Sequence, residues 1–129
     1  MKLYAAIMLG GALGSAARFG LSSLIDEKFG SFPWGTLAVN VLGSFVIGFF
    51  MALTGPDGAL MASPVVRAFV AIGILGGFTT FSSFSLQTIS LLQDGQWLWA
   101  AGNVFLSVTV CLLATAGGIA LAHVLPLRS

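Results

Sequence analysis

The chain has 129 residues, of which 57% are hydrophobic and only 7% charged, and its formal net charge is +1. Soluble domains carry roughly 25% charged residues, so this sequence cannot cover a water-facing surface; with a mean hydropathy of +1.03 it reads as an all-α integral membrane protein. The length suits one domain over residues 1–129, and the small net charge leaves no basic patch for nucleic acid.

Crossing a bilayer takes about 20 apolar residues in a helix. Four stretches meet that length, at about residues 4–25, 34–54, 65–92 and 97–125, and they predict four transmembrane helices. The first begins after Lys2, and its Leu3 to Leu13 run with Ala16-Ala17 mimics a cleavable signal. The apolar pattern resumes beyond Arg18 and reaches full spanning length, which favours a retained span. Arg18 lies in its last third, either snorkelling to the interface or serving a water-filled vestibule. Turn residues follow in Asp26-Glu27-Lys28-Phe29-Gly30, Gly55-Pro56-Asp57-Gly58, Ser63-Pro64 and Asp94-Gly95. Trp34, Trp97 and Trp99 fall at span ends, where indole rings favour the interface.

The second span carries Thr36, Asn40, Ser44 and Gly48 at steps of four, which places them along one helix face. Asn40 is the costliest of these in lipid, because its amide carries both donors and an acceptor. Spacing alone leaves it open whether this face is interhelical glue or part of a pathway. The fourth span repeats the device with Asn103, Ser107, Cys111 and Thr115.

The third span contains GGFTTFSSFS at residues 76–85. A Gly-Gly pair followed by Thr-Thr can unwind a helix, since glycine accepts unusual dihedrals and threonine hydroxyls bond nearby backbone. Irregular backbone at membrane depth is tolerated where it is buried in protein or lines a cavity, and freed carbonyls there can hold a small cation. Phe78, Phe81 and Phe84 recur at steps of three; their ring edges are positive and can meet an anion, although an aromatic stripe taken alone favours packing. Gly10-x-x-x-Gly14 and Gly73-x-x-x-Gly77 are small-residue motifs for close helix crossing.

With four spans, Lys2, Arg67 and Arg128 lie towards one side and Arg18 and Lys28 towards the other. Such balance allows insertion in both orientations and an antiparallel dimer; a slight bias fixing one orientation is equally compatible. Cys111 and His123 are single, so neither a disulfide within the chain nor a metal cluster nor a nucleophile–base pair can be assembled, which argues against an enzyme. No Asp or Glu lies within a span, and proton-coupled exporters depend on such a group.

The segments Gly35-Thr36-Leu37-Ala38-Val39-Asn40 with Gly43, and Gly73-Ile74-Leu75-Gly76-Gly77-Phe78-Thr79-Thr80-Phe81-Ser82-Ser83-Phe84-Ser85, together with Arg18, resemble the Fluc (CrcB) fluoride channels of bacteria and archaea. The resemblance extends over essentially the whole chain. It implies an antiparallel, dual-topology homodimer in the cell membrane that conducts fluoride passively out of the cytoplasm. The third helix would be broken mid-membrane, and a structural sodium ion, not transported, would sit at the dimer centre. Carried onto this chain, the resemblance makes the carbonyls of Gly76 and Thr79 the sodium ligands. It places Asn40, Phe81, Phe84, Ser83, Thr36, Ser107 and Asn103 along the fluoride pore and Arg18 at its vestibule. Ser83 stands where the family commonly has threonine, and the arginine motif around Arg18 is only partly reproduced. The competing readings are a small multidrug-type exporter, which lacks its membrane carboxylate here, and a non-conducting helical accessory protein.

Overall fold

A computed structural model describes residues 1–56 and 58–125. Asp57 of the second turn and Arg128 of the charge comparison lie outside the described residues. The described residues are helical, without strands: α1 (Lys2–Phe29), α2 (Trp34–Thr54), α3 (Pro64–Arg67), a π-helical segment (Ala68–Leu75), α4 (Gly76–Phe78), α5 (Phe81–Gln93) and α6 (Trp97–Val124). The elements from α3 to α5 form one interrupted span, Pro64–Gln93. With α1, α2 and α6 it makes four helices long and apolar enough to cross a membrane, with 18-residue windows of mean hydropathy 1.2 to 2.2. The protein is a multi-pass membrane protein.

The first span runs further than the composition suggested. Residues Asp26 to Phe29 belong to α1 and are not a turn. The reason is a contact between helices: the Asp26 carboxylate Oδ1 accepts the Gly35 N–H at 2.7 Å, satisfying an orphan donor at the start of α2. That bond draws the end of α1 over the beginning of α2, and the chain reverses through Gly30 (φ 84°) with Phe32 and Pro33 buried. Phe32 packs between Trp34 and Trp99, with ring centroids 4.5 and 5.4 Å away, tying this corner to the start of α6.

Glycine-mediated crossings set the layout. A Cβ on Gly10 would stand 2.5 Å from the Phe69 carbonyl, and one on Gly14 would strike the Ile74 carbonyl. On the opposing strip, a Cβ on Gly73 or Gly77 would meet the backbone of Gly10 and Gly11 at 2.9 and 2.6 Å. These are the two small-residue motifs, and they face each other across α1 and the interrupted span. A second crossing joins α2 to α6, where Gly48 sits against the Thr115 carbonyl and Gly118 against Phe45.

The remaining turns follow their local chemistry. Ser63 caps α3 by accepting the Val66 N–H at 3.3 Å, with Pro64 at the first helical position. After α5 the N–H of Gln96 bonds the Leu91 carbonyl and that of Gly95 bonds Leu92, at 2.8 and 3.1 Å. This is a Schellman closure, which requires the positive φ of Gly95 (73°).

Two substitutions test the crossing. Gly14→Ala loses about 1–3 kcal/mol by overpacking and lowers the thermal unfolding midpoint of the detergent-solubilised protein. Gly20→Ala meets open space and gains about 0.5–1 kcal/mol from helix propensity, so its midpoint holds or rises.

Candidate functional site

The third span is interrupted at Thr79 and Thr80, with φ/ψ of −87°/155° and −151°/115°. Both are ordinary extended conformations. Of the Gly-Gly and Thr-Thr pairs that together point to unwinding, Gly76-Gly77 is helical. Gly77 is there because α1 approaches it closely, and the two threonines carry the break. The stripe Phe78, Phe81, Phe84 is correspondingly divided, with Phe78 before the break and the other two after it.

Extended backbone inside an apolar span leaves polar groups that lipid cannot satisfy. Asn40 of α2 satisfies both groups of Thr80. Its Oδ1 accepts the Thr80 N–H at 2.7 Å and its Nδ2 donates to the Thr80 carbonyl at 3.0 Å. Leaving a buried donor or acceptor unpaired costs about 1–3 kcal/mol each, so this clasp is a large local term. Gly43, one turn further along α2, presents no side chain where Thr79 Cγ2 packs. That absence brings the break onto α2.

The threonine hydroxyls finish both helix ends. Thr79 Oγ1 donates to the Leu75 carbonyl at 2.9 Å, the same oxygen that accepts the Thr79 N–H at 3.0 Å. Thr80 Oγ1 is the N-cap of α5: it accepts the Ser83 N–H at 3.2 Å and donates to Ser83 Oγ at 3.1 Å. Carbonyls at the break lose their helical donors in consequence, those of Gly76 and Thr79 among them. The N–H four residues beyond Gly76 is that of Thr80, which goes to Asn40; the N–H four beyond Thr79 is that of Ser83, which goes to the Thr80 hydroxyl. Gly76 is exposed and Thr79 half-buried.

Two clefts meet at this break. The first, about 380 Å³, is lined among others by Asn40, Gly76, Thr79, Phe81, Phe84 and Ser107, with Ser44, Val108 and Cys111 also in its wall. None of the described residues lining it carries a full charge. The rings of Phe81 and Phe84 are 5.2 Å apart and tilted by 49°; Phe84 is 8% exposed and Phe81 77%. The second cleft, about 250 Å³, holds Arg18, Ser22, Thr36 and Ser83, and Arg18 supplies its one full charge among the described residues. Thr80 lines both.

The residues singled out from the sequence therefore divide. Asn40, Gly76, Thr79, Phe81, Phe84 and Ser107 share the first cleft, and Thr36, Ser83 and Arg18 share the second. Asn103 lines neither: it is 2% exposed and donates from Nδ2 to Thr88 Oγ1 at 2.9 Å. Thr80, Thr88 and Gly43 were not singled out for the site. Thr80 was adjacent to a chosen residue, and Gly43 stood within a quoted motif. Gln87, also passed over, buries an Oε1 without a hydrogen-bond partner, beside a third cleft at the Asp26 corner.

Chemically, the first cleft offers amide and hydroxyl dipoles, two aromatic rings and carbonyl oxygens freed by the break. Among the described residues no group of three or more His, Cys, Asp or Glu is placed to hold a metal. A cation at the break would have to be held by neutral oxygens.

Comparison with known proteins gives this arrangement its relatives. A protein of Opitutus terrae named fluoride-specific ion channel FluC is 59% identical over 115 residues, covering 88% of this chain and 87% of its own. The protein of that name from Rhodospirillum rubrum is 55% identical over 122 residues, covering 94% and 92%. That of Thermus thermophilus is 48% identical over 126 residues, covering 94% and 98%. The family described as CrcB-like protein, Camphor Resistance (CrcB), matches residues 5–119, and the chain belongs to that family.

Proposed function

We propose that this protein is a fluoride-specific ion channel of the plasma membrane, giving passive fluoride export from the cytoplasm. The observation that carries the reading is the uncharged cleft at the helix break, where Asn40, Ser107, Phe81 and Phe84 converge, in a chain whose relatives carry that name. Fluoride is small and strongly hydrated, so stripping it bare in an apolar medium is prohibitive. A fixed positive charge would hold it, whereas conduction needs binding weak enough to release. Neutral donors and positive ring edges spread the compensation along the path. Asn40 acts in two ways. One Nδ2 hydrogen and the Oδ1 hold Thr80, and the amide's second hydrogen remains for an anion. Thr36 and Ser83 continue the path as polar contacts, with Arg18 as a positive lure at the vestibule. Asn103 acts from behind Ser107.

The functional unit is an antiparallel, dual-topology homodimer. Its support is the exposure of Phe81 and Gly76 beside a cleft that holds amide and hydroxyl groups; lipid is a poor cover for such groups, and a second copy is a better one. The carbonyls of Gly76 and Thr79, deprived of their N–H donors, fit a hard cation such as sodium in their chemistry. Two oxygens from one chain are too few for such an ion, and two from each copy would complete the set. When bound, sodium supplies positive potential beside the anion path and ties the copies together.

Liposomes holding the purified protein should release fluoride, read with a fluoride electrode, and retain chloride. Phe81→Ile should remove the aromatic contact and abolish the flux. Asn40→Asp should do the same: it sets a carboxylate against the Thr80 carbonyl and opposes an anion by about 4 kcal/mol, close to a thousandfold in rate. Normal flux in both variants rejects the site assignment, and uptake of a lipophilic cation with no fluoride release would favour the exporter. Replacing sodium by a large organic cation should lower the flux and shift the detergent-solubilised protein from dimer towards monomer. Unchanged flux and unchanged mass would remove sodium from the scheme.

A further inference from the structure

A hydrogen-bond relay stands behind the first cleft and runs in one direction only. Thr88 of α5 lies one turn beyond Phe84 and donates its hydroxyl hydrogen to the Phe84 carbonyl at 2.7 Å. A carbonyl can only accept, so the Thr88 hydrogen is committed and its oxygen faces α6 as an acceptor. Asn103 fills that acceptor with Nδ2 at 2.9 Å. Its amide is thereby oriented with Oδ1 towards Ser107, whose hydroxyl donates to it at 3.4 Å. Asn103 and Ser107 are 2% and 8% exposed, so water does not compete freely for these groups. Ser107 is the member that lines the cleft.

We infer that Thr88 is a positioning residue for anion passage: through Asn103 it fixes which way the Ser107 hydroxyl points. At rest the Ser107 hydrogen is parked on Asn103 by a bond longer than the usual O–H···O range, and therefore weak. It swings to a passing anion at small cost and returns when the anion leaves, so the contact is moderate. Without the Thr88 oxygen, nothing holds Nδ2 on the α5 side, and the Asn103 amide is free to turn over. In the turned orientation its NH2 faces Ser107, and Ser107 becomes an acceptor from Asn103 with its hydrogen directed towards the cleft. An anion then lingers at Ser107 and leaves more slowly. The sequence spacing put Ser107 and Asn103 on one face; the relay adds a control point on a different helix that lines neither cleft at the break.

This inference rests on the fluoride-channel reading, and the experiment separates the two. Fluoride efflux from liposomes is measured for the unsubstituted protein, Thr88→Val, Thr88→Ser, Ser107→Ala and the Thr88→Val/Ser107→Ala pair. Thr88→Val should slow efflux about threefold to tenfold, the effect of one neutral hydrogen bond. Thr88→Ser keeps the hydroxyl and should restore it. On the Ser107→Ala background, Thr88→Val should change nothing further, because the group it acts through is gone. Thr88→Ala removes the same hydroxyl and replaces the valine variant if that protein does not fold. Efflux unaltered by loss of the hydroxyl, or altered equally with and without Ser107, overturns the role of Thr88 while leaving the channel reading intact. Absence of efflux from the unsubstituted protein overturns both.

Discussion

The arrangement depends on one side chain reading one peptide. Asn40 holds the N–H and the carbonyl of Thr80 as a neighbouring strand would, and this lets a helix stop and restart inside an apolar span. Without it, continuous helix would be the only way to satisfy those groups. The break then generates the rest. It frees backbone carbonyls, exposes Phe81 and Ser82 in the first turn of α5, and opens clefts on two sides. Gly43 supports the clasp by letting Thr79 lie against α2, and the glycines of α1 support it from behind, through the close crossing at Gly73 and Gly77.

That geometry explains why the site works without charge. A carboxylate or ammonium at this depth would be costly and would demand a partner. Peptide, amide and hydroxyl dipoles cost less to bury once paired, and most of those here are paired with each other. The unpaired valences include a second amide hydrogen on Asn40, a weakly held hydroxyl on Ser107, and carbonyls at the break. These are also the groups in or beside the first cleft. The polar residues further out serve them, as Thr115 shows by contrast: its hydroxyl turns back to the Cys111 carbonyl at 3.0 Å, and it closes the α2–α6 crossing instead of lining the path.

Much of this was legible in the sequence, because hydropathy over about 20 residues is a strong signal. The four spans, the interruption of the third and the two glycine motifs could be read from residue order; that the motifs face each other could not. The position of the break could not be read as securely. Gly76-Gly77 is the weaker helix former by propensity, yet a glycine pair crowded by α1 has a packing reason to stay helical, and that reason lies in a distant part of the chain. The end of α1 was misjudged because Asp26 and Gly30 carry turn chemistry, while the bond from Asp26 to Gly35 is a tertiary fact. Spacing grouped Asn103 with Ser107 correctly on one face, but which of them meets the cleft depends on how α5 is rotated against α6. Thr88 had no signal of its own for the same reason. Thr36 and Asn40 were placed on one face, yet they open to different clefts, because the Thr80 peptide stands between them.

The Asn40–Thr80 pairing spans 40 residues and joins the second hydrophobic segment to the third. A chain made from its N-terminus delivers the amide to the bilayer before the segment that needs it has left the ribosome. The third segment can therefore enter as an uninterrupted rod, with its own peptides satisfied, and open only on docking against its predecessor. Biogenesis then has a built-in order, and a protein stalled before that docking would carry an intact rod and no path for ions.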